Sequence, residues 1–171
     1  MASSFLLIIG DSRGLAWILR ERKMALPARS RAADIDEGDE LFFVTTRNCF
    51  GNPSRDRSRI VGIARTGSAV ARLEKPLKLA GRTFDRGFDL DIETLAPFRV
   101  GVELPPLVEE LDAFPNKRAW SWFMRRPALR VSTNDARMLR RLVKPVGDNP
   151  DDVIPAYLEW IDARPNSHPK R

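Results

Sequence analysis

Three five-residue runs constrain this chain more than any other feature: residues 5–9 (FLLII), 41–45 (LFFVT) and 60–64 (IVGIA). Each is far shorter than the ~20 residues of a membrane span. Each is also bounded by turn-forming residues, such as Gly10-Asp11-Ser12 after the first and Gly51-Asn52-Pro53 between the second and third. A short, continuously apolar run closed by such residues reads as a strand buried on both faces. The turn 35–40 delivers the chain into the second run, and Gly38 supplies the positive φ such a turn needs. A polar loop spans 46–59, and Gly62 marks a bulge or a close backbone approach inside the third strand.

Further strands are predicted at 69–73, 82–92 and 128–132. Within 82–92, Phe84, Phe88, Leu90 and Ile92 fall on even positions, the period of a half-buried strand. Asp85, Asp89 and Asp91 then form its wet face rather than a hydrolytic carboxylate cluster. Leu15, Ile18, Leu19 and Arg22 repeat at helical spacing, with Ser12 as N-cap and an end before Pro27; 24–31 reads as a loop. A short helix is expected at 107–111, and a helical turn or loop at 119–124. A helix at 135–142 is capped by Thr133 or Asn134, and a short amphipathic helix covers 154–161. The sum is an α+β chain: a small mixed β-barrel of about five or six strands decorated by helices. The domain is expected over 1–146, with 147–171 a C-terminal tail that carries the short helix and frays at its end.

Composition narrows the chemistry. With 43% hydrophobic and 30% charged residues the chain is an ordinary globular protein. The lone Cys49 fits a reducing, cytoplasmic setting, and no basic lead-in or cleavage site marks a secretory signal. One cysteine and one peripheral histidine, His168, argue against a metal site and against a Cys–His or Ser–His catalytic pair. The net charge of +6 is unevenly spread: 47–82 carries nine basic against two acidic side chains, 83–115 two against eight, and 116–145 nine against one. Two basic segments folded onto one face would attract a polyanion. A basic surface serving solubility alone is the plainer alternative.

The phrase Glu37-Gly38-Asp39-Glu40 before 41–45, the strand 60–64, and Arg126-Pro127-Ala128-Leu129-Arg130-Val131 before a last helix together resemble the EVE domain. That family belongs to the PUA-like group with the YTH, ASCH and SRA-type modules. The resemblance covers about residues 5–143. It departs at the first strand, which lacks the family's polar residues and flanking aromatics, and after the first helix, which lacks its Arg-Asn phrase. Residues 93–118 look like an insertion. The resemblance implies a PUA-like pseudo-barrel and a non-enzymatic module, with no catalytic residue, cofactor or metal. Its partner would be DNA or RNA, of which one base, often modified, sits in an aromatic and polar cleft. A separate effector protein would act on the signal, and no membrane is involved.

Several residues fit such a cleft. Trp17, Trp120 and Trp122 can stack on a base or pack the core, and at a spacing of two one of the latter pair should be core and the other partly exposed. Arg125 and Arg126 follow those aromatics and could clamp phosphates. Thr45, Thr46, Arg47 and Asn48 carry groups that can read a base edge, or serve strand-end and turn chemistry. Ser12 and Arg13 lie at a helix start that could accept an anion, or Ser12 is a plain cap. Arg55, Arg57, Arg59 and Arg130 are candidate phosphate contacts. Two other functions compete: an ASCH-like small hydrolase or nuclease in the same fold, and a protein–protein adaptor using the apolar stretch 95–123.

Overall fold

The computed structural model describes residues 2–27 and 34–164. His168, the end of the predicted loop 24–31 and the expected frayed terminus lie outside the described residues. Eight strands form one curled sheet around which helices pack: β1 (Ser4–Ile9), β2 (Lys23–Pro27), β3 (Glu40–Thr45), β4 (Arg59–Thr66), β5 (Ala71–Leu79), β6 (Arg82–Leu95), β7 (Val102–Glu103) and β8 (Ala128–Val131). Their order is β2-β6-β4-β3-β1-β8, with β5 added to β6 and β7 to β4. Among the described strands, only β1 and β3 pair in parallel. Such a pair needs a crossover, which α1 (Ser12–Glu21) and β2 supply.

The three apolar runs become β1, β3 and β4, and both their faces are buried. Phe5, Leu7 and Ile9, with Leu41 and Phe43, enter one core beneath α1 and α4 (Pro150–Asp162). Leu6 and Ile8, with Phe42 and Val44, enter a second core beneath α3 (Thr133–Val143). Fully burying a side chain of this size contributes about 1.5–3 kcal/mol, so this alternation holds two cores to one sheet. Gly62 makes the expected close approach: a Cβ there would lie 2.8 Å from the Thr94 carbonyl, and the β4 registers slip beside it. Gly38 has φ 87°, and Asp39 fixes the turn by accepting from the amides of Ser3 and Asp36.

Four expectations are corrected. Residues 24–27 are strand, not loop, because β2 pairs antiparallel with the long β6. Asp11, not Ser12, caps α1 by accepting from the Arg13 amide. Ser132, rather than Thr133 or Asn134, caps α3. The last helix spans thirteen residues rather than eight, and its Val153, Ile154, Tyr157 and Ile161 are core. Residues 93–118, read as an insertion, supply Leu104, Val108, Leu111 and Phe114 to the second core. Asp135 organises that segment by accepting from the amides of Asp112 and Ala113. The apolar stretch considered for an adaptor is thus largely spent inside the molecule. Among the described residues, no helix is long and apolar enough to cross a membrane.

Candidate functional site

A cleft of about 780 Å³ opens where the first strand ends and the first helix begins. Its volume falls within the range usual for small-molecule sites. Ile8, Ile9 and Gly10 of the strand end and Arg13, Gly14 and Trp17 of α1 form one wall. The β5–β6 hairpin forms another with Leu77, Leu79, Arg82 and Phe84. Its two-residue turn, Ala80-Gly81, has positive φ at both positions, the conformation that matches the twist of a tight hairpin. Asn48, Gly51 and Pro53 of the polar loop and Met124–Pro127 close the remaining sides.

The lining has a clear chemical division. Trp17 and Phe84 present aromatic surface, and Trp17 is half-buried with part of its ring packed on the core. Arg13, Arg82, Arg125 and Arg126 supply positive charge. Asp11 is the single acidic side chain of the lining, and it is committed to Arg13 through a 2.8 Å ion pair. That hydrogen bond raises the Arg13 pKa further above its ordinary value. The Asp11 carboxylate therefore already occupies the start of α1, where an anion was considered.

The structure brings together Arg13, Trp17, Asn48, Arg125 and Arg126 around this cleft. Ser12 and Thr45 are buried, at 2% exposure each. Thr46 is half-buried and Arg47 is exposed, and neither lines the cleft. Trp120 packs edge-on against Phe114 at 5.9 Å and belongs to the second core. Trp122 is 66% exposed, outside the cleft, with the Arg125 guanidinium 4.5 Å from its ring centroid. Arg55, Arg57 and Arg59 do not line the cleft, and Arg57 lies 3.8 Å from Glu103. Arg130 sits at the opposite end of β1, donating to Ser3 and lying over Phe5. Sequence reasoning missed Arg82 and Phe84 as site residues. The Ala80-Gly81 pair between alternating apolar positions is the signal that marks their hairpin.

Burial, with the charges of Asp11 and Asp56 nearby, pushes the Cys49 thiol well above its usual range, so it stays protonated and unreactive at neutral pH. Among the described residues, no group of three or more His, Cys, Asp or Glu side chains is placed to hold a metal ion.

No family model and no curated protein matches this sequence. Solved structures do. The YTH domain of Mmi1 superposes with a TM-score of 0.54 at 11% identity, over 84% of this chain and 96% of that one. The chain has the fold of the YTH domains. The same Mmi1 protein in complex with RNA gives 0.53 at 12% identity, over 83% and 81% of the two chains. A protein from Pseudomonas syringae gives 0.53 at 14% identity, over 82% and 99%. The α+β fold expected from the sequence, a small mixed β-barrel decorated by helices, is thus found, with its sheet of eight described strands curled into a half-barrel.

Proposed function

We propose that this protein is a non-enzymatic, nucleic-acid-binding module of the EVE type that holds one base in the cleft beside Trp17 and Phe84. The observation that carries this reading is the division of the lining: aromatic and apolar surface within, arginines at the rim, and one already-paired carboxylate. A stacked base gains ~1–3 kcal/mol from an aromatic platform. The guanidiniums of Arg82, Arg125 and Arg126 can meet the phosphates on either side. The Asn48 amide offers both a donor and an acceptor for the base edge. A base can enter only when unstacked, so the nucleic acid presents it single-stranded or flipped. The RNA-bound Mmi1 structure, of the same fold, supports this choice of partner. A modified base is the expected ligand, and a separate effector protein would act on the bound state.

Gly14 makes a clean test possible. It lines the cleft, and an added Cβ would lie 3.5 Å from Leu79, an ordinary contact. Gly14→Leu should push a side chain into the cleft while α1 keeps or gains stability, since glycine within a helix costs roughly 0.5–1 kcal/mol relative to alanine. Binding should be measured by anisotropy across oligonucleotides with modified and unmodified bases. Loss of base discrimination in a Gly14→Leu protein of unchanged melting temperature supports the reading; undiminished discrimination sinks it.

A further inference from the structure

Trp122 needs an explanation that the cleft does not give. In the single turn α2 (Trp120–Phe123), Trp120 and Phe123 pack on Phe114 at 5.9 and 6.1 Å and so satisfy the core. Trp122 points the other way. It is 66% exposed, and the only other large apolar side chain exposed among the described residues is Val100, at 45%. Leaving an indole in water forfeits burial that the fold could have used. The Arg125 guanidinium lies 4.5 Å from the centroid of the ring, and Arg126 lies 5.5 Å from that of Phe123. These two arginines line both the cleft and the depression beside Trp122. One pair of cations therefore joins the aromatic cleft to an exposed aromatic ring.

We infer that Trp122 is a second stacking platform, outside the cleft, for the nucleotide adjacent to the one the cleft holds, and that the ligand is single-stranded over at least these two positions. The inference rests on the cleft reading above. A strand leaving the cleft across Arg125 and Arg126 keeps its phosphate against guanidinium and brings the next base onto the exposed indole. Arg125 holds the ring in place before the ligand arrives, so little side-chain freedom is lost on binding. In a duplex that neighbouring base stays stacked in the helix and cannot reach the ring.

The test compares the unmodified protein with Trp122→Ala, Trp122→Phe and Gly14→Leu. The probes are fluorescein-labelled eight-nucleotide single strands of DNA and RNA, and the same sequences as duplexes. Trp122→Ala should weaken single-strand binding about tenfold, or ~1.4 kcal/mol, and leave the weaker duplex binding unchanged. Trp122→Phe should restore most of the loss. Because Trp122 is 66% exposed, its removal should shift the melting temperature little. Equal single-strand affinity in Trp122→Ala and the unmodified protein overturns the inference, as does a loss that falls equally on duplexes. A Trp122→Ala loss alongside unimpaired binding by Gly14→Leu would instead sink the cleft reading and leave Trp122 as an independent contact. If the unmodified protein binds no probe, both fall.

Discussion

Glu40 is 3% exposed, yet the structure keeps it charged. Burial alone would favour the neutral acid. Arg140 opposes this with two hydrogen bonds of 2.8 Å, and Ser4 Oγ adds a third. The charges of Arg140 and Arg65 add to these, and the net result lowers the carboxyl below its ordinary value of 4.5. The folded protein therefore binds this proton less readily than the unfolded chain does. The pair's contribution is fully present above pH 4.5 and is lost as pH falls through the lowered folded value. Glu40→Gln should cost about 1 kcal/mol at neutral pH, because Arg140 keeps one neutral acceptor and its guanidinium is partly exposed to water. Urea titrations across that acid window should also show a shallower fall of stability in the variant; an identical slope would mean the pair is energetically silent. At the far side of the molecule, Ala80 holds φ 49° in the hairpin turn. A left-handed conformation costs a non-glycine residue roughly 1–2 kcal/mol. Ala80→Gly should raise stability by about 1 kcal/mol, read as a higher urea midpoint with unchanged m-value.

The last helix shows how an element can carry more than its sequence suggests. Asn149 caps it and Pro150 opens it. Tyr157 reaches across to donate to the Ala96 carbonyl at 2.7 Å, and Arg20–Asp162 and Arg22–Asp151 tie α4 to the segment around α1. Its four large buried side chains contribute about 1.5–3 kcal/mol each, a sum comparable to a typical domain's total stability of about 5–15 kcal/mol. A chain ending at Val146 should therefore lack a cooperative thermal transition, as calorimetry would register; a sharp transition would show that the sheet and the other helices suffice. The sequence made β1, β3 and β4 plain because burial on both faces leaves nothing but apolar residues. It made the wet Asp89 and Asp91 of β6 plain because one face meets water, whereas Asp85, expected on the same wet face, is half-buried with one carboxylate oxygen shut off from solvent. It hid β2, whose partner is more than fifty residues away and whose last residue is a proline. Helix caps were misread by one residue because Asp11 and Ser12, like Ser132 and Thr133, are both competent caps, and only backbone geometry chooses between them. Half of the cleft was hidden for a related reason: Phe84 reads as one more core position of a strand until the hairpin folds over α1.

Across the whole molecule, the fold gathers what the sequence separates. The basic segment 47–82 lends the cleft its loop and the tip of its hairpin, and the basic segment 116–145 lends Arg125 and Arg126. The acidic segment 83–115 contributes only Phe84 to the lining, and its Asp89, Asp91 and Glu93 are exposed along β6. The cleft lining thus carries four arginines against one carboxylate that is already ion-paired, the balance that the proposed reading calls for. Binding of a nucleic acid here should fall as salt rises, with the logarithm of affinity linear in the logarithm of salt concentration. Each phosphate contact removed should lower that slope by roughly one. Arg125→Ala and Arg126→Ala should each do so. Arg130→Ala should not, because Arg130 is turned toward Ser3 and Phe5 at the other end of β1. Arg57→Ala should have a smaller effect than either cleft arginine, since Glu103 lies 3.8 Å away and already offsets part of its charge. Fluorescence anisotropy at several salt concentrations separates these cases. Equal slopes for all four variants would mean that the positive charge acts as a diffuse cloud and that the cleft does not direct the strand.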